Sequence, residues 1–147
     1  MLSKYRPLIE RLAARHGLNP RLVEAFVFVE SSDQAQAIRF EPHIYDLLAT
    51  KFPHTSPTER MQQATSWGLM QMMGMVARER NYHGTCVALC VDPELALTLG
   101  MKQLAHLKAR TTSEDDMIKA YNVGLGGIKK GRGAEYLAKI RHAAAKL

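Results

Sequence analysis

Glu30 stands at the end of an uninterrupted apolar run, Ala25-Phe26-Val27-Phe28-Val29, and is followed by Ser31 and Ser32. An ionised carboxylate is costly to bury, so a chain pairs it, hydrogen-bonds it or raises its pKa until it is neutral. A carboxylic acid kept protonated near neutral pH is what general acid catalysis requires. Glu30 therefore reads either as such an acid or as an ordinary residue at a helix end. Two further stretches carry polar groups that helix packing does not call for. In Ser66-Trp67-Gly68-Leu69-Met70-Gln71 a glycine opens a helical pattern and a glutamine follows two apolar residues. In Ala120-Tyr121-Asn122-Val123-Gly124 a phenol and an amide close a helical pattern ahead of glycine. Taken singly, each also has a plain structural explanation as a satisfied side chain or a helix stop.

Other chemistries find less support. The run GLGGIKKGRG, residues 124–133, fits neither common phosphate-loop pattern and follows no expected strand. It reads as a hinge or a groove edge lined by Lys129, Lys130 and Arg132. The six histidines are scattered without H-E-x-x-H, so no metal and no cofactor is expected. Ser31 and Ser32 lack the G-x-S-x-G setting of a serine nucleophile. Cys86 and Cys90 read as buried free thiols, with a local disulfide as the alternative. Met70, Met72, Met73 and Met75 read as adaptable core filler.

The elements that must position these groups are helices. Leu8, Ile9, Leu12 and Ala13 form one apolar stripe that stops at Gly17. Asn19-Pro20 is an N-cap and first turn for a second helix ending near Ser31. Its last turn holds Glu30. Residues 34–41 (QAQAIRFE) are the one stretch that reads as extended. Pro42 opens a helical pattern to Phe52, and a helix from about Thr58 is expected to reach Ser66-Trp67, with another over Leu69–Arg80. Asp92-Pro93 opens a helix ending near Arg110, and Ser113 with Asp116 opens the next. A glycine-rich connection leads to a last helix over Ala134–Lys146. The expected architecture is mainly α: one domain over residues 1–147 with six to eight helices and at most a small β element near 34–41.

The chain has 147 residues, 46% hydrophobic and 23% charged, which describes a globular protein and excludes a disordered one. The formal charge of +6 favours an anionic partner: nucleic acid, a membrane surface or an acidic cell envelope. The first 17 residues are interrupted by charges and lack a signal-peptide core, and no stretch approaches a membrane span of about 18 apolar residues. The expectation is synthesis in the cytoplasm without a signal peptide.

In order and spacing, Glu30-Ser31, Gly68-Leu69-Met70-Gln71, Asp92-Pro93 and Ala120-Tyr121-Asn122 resemble the lytic transglycosylases of the goose-type lysozyme superfamily. The resemblance runs from about Asn19 to Tyr136. It departs at Trp67, where the family has a small residue, and at Val123, where it has alanine. The segment IRFEPHIYDLL, residues 38–48, is similar to a phrase of phage-encoded peptidoglycan-degrading enzymes. The resemblance implies a lysozyme-like domain that cleaves the β-1,4 bond between N-acetylmuramic acid and N-acetylglucosamine, with Glu30 as acid and then base. It also implies that Tyr121 orients Glu30 or the substrate acetamido group, that Met70 and Gln71 line the groove, and that Asn122 supports it. Ser31 would orient Glu30 or substrate. The alternative is a muramidase in which a second carboxylate, Glu41 first and Asp46 second, activates water; Glu41 equally reads as a salt-bridge partner of Arg39. Remoter alternatives are a non-catalytic wall-binding domain and a basic nucleic-acid module. The expected partners are peptidoglycan glycan strands and the anionic envelope surface. No nucleic acid and no membrane span are expected, and the protein is expected to be a monomer. It would act in the periplasm after holin-type release or virion delivery.

Overall fold

The computed structural model describes residues 1–147. Helix α1 (Arg6–His16) buries Ile9, Leu12 and Ala13 and stops where Gly17 turns left-handed. Helix α2 (Pro20–Ser31) starts at Asn19, whose side chain accepts the backbone N–H of Arg21 at 2.9 Å. Residues 22–27 of α2 are all buried, so this is a central helix with no solvent face over that stretch. It packs between α1 and α9 (Ala134–Ala145).

After α2 come strand β1 (Ile38–Phe40), helix α3 (Pro42–Lys51) and helix α4 (Pro57–Gln63). Strands β2 (Thr65–Trp67) and β3 (Met72–Met73) follow, then α5 (Gly74–Glu79), α6 (Ala88–Val91), α7 (Pro93–Lys108) and α8 (Glu114–Lys129). Asp92 caps α7 by accepting from Leu95, and Ser113 caps α8 by accepting from Asp116. The molecule is mainly α, with nine helices and one small sheet.

The sheet is larger than the sequence suggested. Its order is β1-β2-β3, all antiparallel, with Ile38 opposite Trp67 and Trp67 opposite Met72. Residues 65–73, expected as the end of one helix and the start of another, are a hairpin. Gly68 (φ +77°) and Gln71 (φ +47°) lie in the left-handed region, which no helix accommodates, and the Gly68 N–H donates to Ala37. Gly68 does not open a helix; it turns the hairpin. A second difference lies at residues 124–129, where helix resumes beyond a break at Gly124 (φ +75°, ψ +167°). That conformation is open essentially to glycine alone, and it re-aims the chain just after Tyr121 and Asn122.

Two apolar clusters hold the elements together. The larger joins α1, α2, α7, α8 and α9 through Phe26, Leu97, Met101, Leu104, Ile118 and Ile140. The smaller gathers Trp67, Met72, Ala77, Leu89 and Leu99, together with Cys86 and Cys90, both free thiols. Helix α7 contributes to both, and at Gly100 it has no side chain, so the Met70 sulfur rests against its backbone.

A Cβ at Gly68 would lie 2.5 Å from the Leu89 carbonyl oxygen, whereas one at Gly126 would meet nothing within 4 Å. Gly68→Ala is expected to destabilise the protein by at least about 2 kcal/mol. Gly126→Ala, on a helix surface, should be neutral or stabilising by about 0.5–1 kcal/mol. Denaturant unfolding monitored by circular dichroism measures both.

Candidate active site

The last turn of α2 carries Glu30 out of the core to a partly exposed position. Burial raises the carboxyl pKa above its ordinary value, while a hydrogen bond from Tyr136 and the charge of Arg39 pull it back without cancelling the effect. The Tyr136 hydroxyl donates to Glu30 Oε1 across 106 residues of sequence. Tyr136 sits on the buried side of α9, where a phenol needs a hydrogen-bond partner, and Glu30 is that partner. Burial, then the neighbouring Glu30 charge, pushes the Tyr136 phenol far above its usual pKa, so it donates and does not ionise.

Phe26, one turn before Glu30 on α2, underlies both tyrosines of the site. Its ring centroid is 4.9 Å from that of Tyr121, edge to face, and 6.2 Å from that of Tyr136. Tyr121 lies on α8 before the Gly124 break, and its hydroxyl donates to the Met70 carbonyl at 2.7 Å. Burial and the nearby Glu30 charge raise its pKa well above the normal phenol value. Tyr121 thus stands beside Glu30 while its hydroxyl fastens the hairpin turn.

The turn is held from a second side by Gln71, whose amide donates to the carbonyls of Ala37 and Gly68, each at 3.0 Å. Met70 is 0% exposed, so its side chain lines no groove; its contribution to the site is its carbonyl. Ser31 Oγ is buried and donates to the Val27 carbonyl at 3.0 Å, within its own helix. Asn122 is exposed on α8. Glu41 precedes α3 and has both oxygens engaged, Oε1 with Arg39 at 3.0 Å and Oε2 facing His43 at 3.7 Å. Asp46 lies exposed on α3. The fold therefore gathers Glu30, Tyr121, Tyr136, Arg39 and the Gly68–Gln71 turn. Side chains of Ser31 and Met70 point elsewhere. Sequence reasoning missed the role of Tyr136, although a tyrosine on the apolar face of a helix signals a buried hydroxyl in want of a partner.

A hollow lies apart from these groups, between Gly17–Leu22 and Lys108–Met117, at the opposite end of α2. Asn19 and Glu30 stand eleven residue steps apart along α2, about 16 Å. It contains neither tyrosine of the Glu30 site. No three His, Cys, Asp or Glu side chains are grouped to hold a metal ion. No helix is long and apolar enough to cross a membrane.

A carboxyl whose folded pKa lies above its unfolded value favours the fold when neutral. Its contribution is fully present below the unfolded value and is lost as pH rises through the folded one. Glu30→Gln retains an acceptor for Tyr136 and removes the charge. The variant should melt higher than the parent at pH 7–8, and the difference should vanish below about pH 4, where both are neutral. Calorimetry across this range reads it.

The transglycosylase SLT domain model matches residues 7–143. A curated relative, "Membrane-bound lytic murein transglycosylase F" of Desulfosudis oleivorans, is 28% identical over 145 residues, covering 94% of this chain. The chain spans 25% of that relative's length. No solved structure matches. With a family match over nearly its whole length and a mainly α architecture to fit it, the chain belongs to the transglycosylase SLT domain family.

Proposed function

We propose that the chain is a peptidoglycan lytic transglycosylase that cleaves the β-1,4 bond between N-acetylmuramic acid and N-acetylglucosamine and leaves 1,6-anhydromuramic ends. The observation that carries this reading is one desolvated carboxyl, Glu30, held by a phenol through one oxygen only. The other oxygen carries the transferable proton. It protonates the glycosidic oxygen as the bond to the anomeric carbon breaks. The acetamido carbonyl of the same sugar stabilises the developing positive charge. Glu30, now anionic, takes the proton from the 6-hydroxyl, whose oxygen closes on the anomeric carbon.

The same partners serve both halves of this cycle. Burial favours the acid form before proton transfer; the Tyr136 hydrogen bond and the Arg39 charge stabilise the anion after it. Water activation would need a second carboxylate standing free, and Glu41 already accepts from Arg39 and faces His43. The Desulfosudis relative, named as a lytic murein transglycosylase, supports the same reaction class. The likeness of residues 38–48 to a phage-encoded phrase supports a setting in phage lysis, with the substrate met in the periplasm after holin-type release or virion delivery. The net charge of +6 suits adsorption to an anionic envelope, an attraction weakened by salt.

The test is release of soluble fragments from purified peptidoglycan by single variants. Glu30→Gln should lose about 10²–10⁴-fold in rate, the span of general acid-base catalysis. Glu41→Gln should retain activity to within about tenfold, its loss being that of an ion pair beside Arg39. Equal and severe losses in both would favour a hydrolase with two working carboxylates.

A further inference from the structure

Glu24, six residues before Glu30 on α2, is 1% exposed and has both oxygens engaged. Oε1 accepts the backbone N–H of Ser3 at 2.6 Å, and Oε2 accepts from Arg6 Nε at 3.0 Å with a second Arg6 nitrogen at 2.8 Å. Asp33 lies three residues beyond Glu30, and its Oδ1 accepts the Ser3 hydroxyl at 2.5 Å. Its Oδ2 accepts the Lys4 backbone N–H at 3.1 Å. Ser3 is itself 5% exposed. One buried serine ahead of α1 therefore bonds α2 ahead of Glu30, at Glu24, and the turn just beyond the helix, at Asp33.

The exit from α2 needs such support. Ser32 and Asp33 are consecutive left-handed residues, with φ of +52° and +64°, and neither is glycine. Left-handed backbone is disfavoured for residues with a Cβ and persists where surroundings impose it. From this turn the chain runs to Ala37, the carbonyl to which Gly68 and Gln71 donate. Six residues of helix place Glu24 about 120° around the axis from Glu30, so its bonds act on the helix and not on the reacting groups.

We propose that Ser3 clamps α2 by tying Glu24 to Asp33, and that this clamp positions Glu30 against Tyr136. Ser3, Glu24 and Asp33 are positioning residues; none touches the reacting atoms. The inference rests on Glu30 being the acid of the proposed reaction. Without the Ser3–Asp33 bond the last turn of α2 relaxes toward solvent and Glu30 gains water. The groups facing Glu30 are Tyr136 from α9, Tyr121 from α8 and Arg39 from β1. None of them is removed by a change at Ser3.

The experiment is a carboxyl-carbon NMR titration of the full chain labelled at glutamate, with Glu30→Gln identifying the Glu30 signal. Ser3→Ala is expected to lower the Glu30 midpoint by at least about half a pH unit, and Ser3→Thr to restore it. On purified peptidoglycan Ser3→Ala should lower kcat about tenfold with KM within about twofold, as expected for misplacement of a catalytic group. If Ser3→Ala does not fold, Asp33→Asn, which keeps an acceptor for Ser3, should move the midpoint the same way by less. A Glu30 midpoint unchanged in the folded variant, whatever its melting temperature, overturns the clamp. Because the titration needs no turnover, a shifted midpoint in a protein that leaves peptidoglycan intact would sink the functional reading and not the clamp. Loss of activity in Glu30→Gln with an unmoved Ser3→Ala midpoint would do the reverse.

Discussion

A carboxyl group partly withdrawn from water at the end of a buried helix is the constraint on which this structure turns. Residues 22–27 of α2 have no solvent-facing side, so the helix can be positioned only by what packs around it. Helices α1 and α9 do that packing, and α9 brings the phenol that meets Glu30. The arrangement does not favour stability. Burying a carboxylate opposes ionisation, and one hydrogen bond with one exposed cation offsets only part of that cost. Such a cost is expected where a group must change its proton during a reaction.

The two tyrosines of the site have divided roles although both rest on Phe26. Tyr136 spends its hydrogen on the carboxyl. Tyr121 spends its own on the Met70 carbonyl and so couples α8 to the hairpin turn. The turn is fixed again through Gln71 and through Gly68, both bonded to Ala37 just ahead of β1. Each wall around Glu30 is therefore tied to another wall, and the left-handed exit of α2 is one of the ties. Rigid support of this kind suits the proposed reaction, in which a single carboxyl serves twice without a lasting change of position.

The sequence was informative where the physics is local. Asn19-Pro20, Asp92-Pro93 and Ser113 act as helix starts in the structure, because an N-cap is satisfied within three residues. The free, buried state of Cys86 and Cys90 was also within reach, given the absence of partner ligands. The hairpin at residues 65–73 was not. Leu69-Met70-Gln71-Met72-Met73 carries a helical pattern, and only the left-handed Gly68 and the pairing of Trp67 with Ile38 override it. The site divides in the same way. Glu30 announced itself as a charge behind an apolar run, and the Glu41–Arg39 pair was legible from adjacency. Tyr136 signalled a buried hydroxyl but not its partner, which lies 106 residues away and is brought to it only by the packing of α9 on α2. Met70 separates two readings. The family resemblance implied a groove residue, whereas its residue type read as core filler, and Gly100 gives its side chain a berth inside the core.

The central claim is that one carboxyl acts as acid and then as base, with the substrate's own 6-hydroxyl as nucleophile and no water in the bond-forming step. Digestion of purified peptidoglycan in ¹⁸O-enriched water, with mass spectrometry of the muramoyl ends, addresses it most directly. The account predicts anhydromuramoyl ends carrying no heavy oxygen. Reducing ends that each carry one ¹⁸O from the first turnover would contradict it and return a water-activating carboxylate to the mechanism.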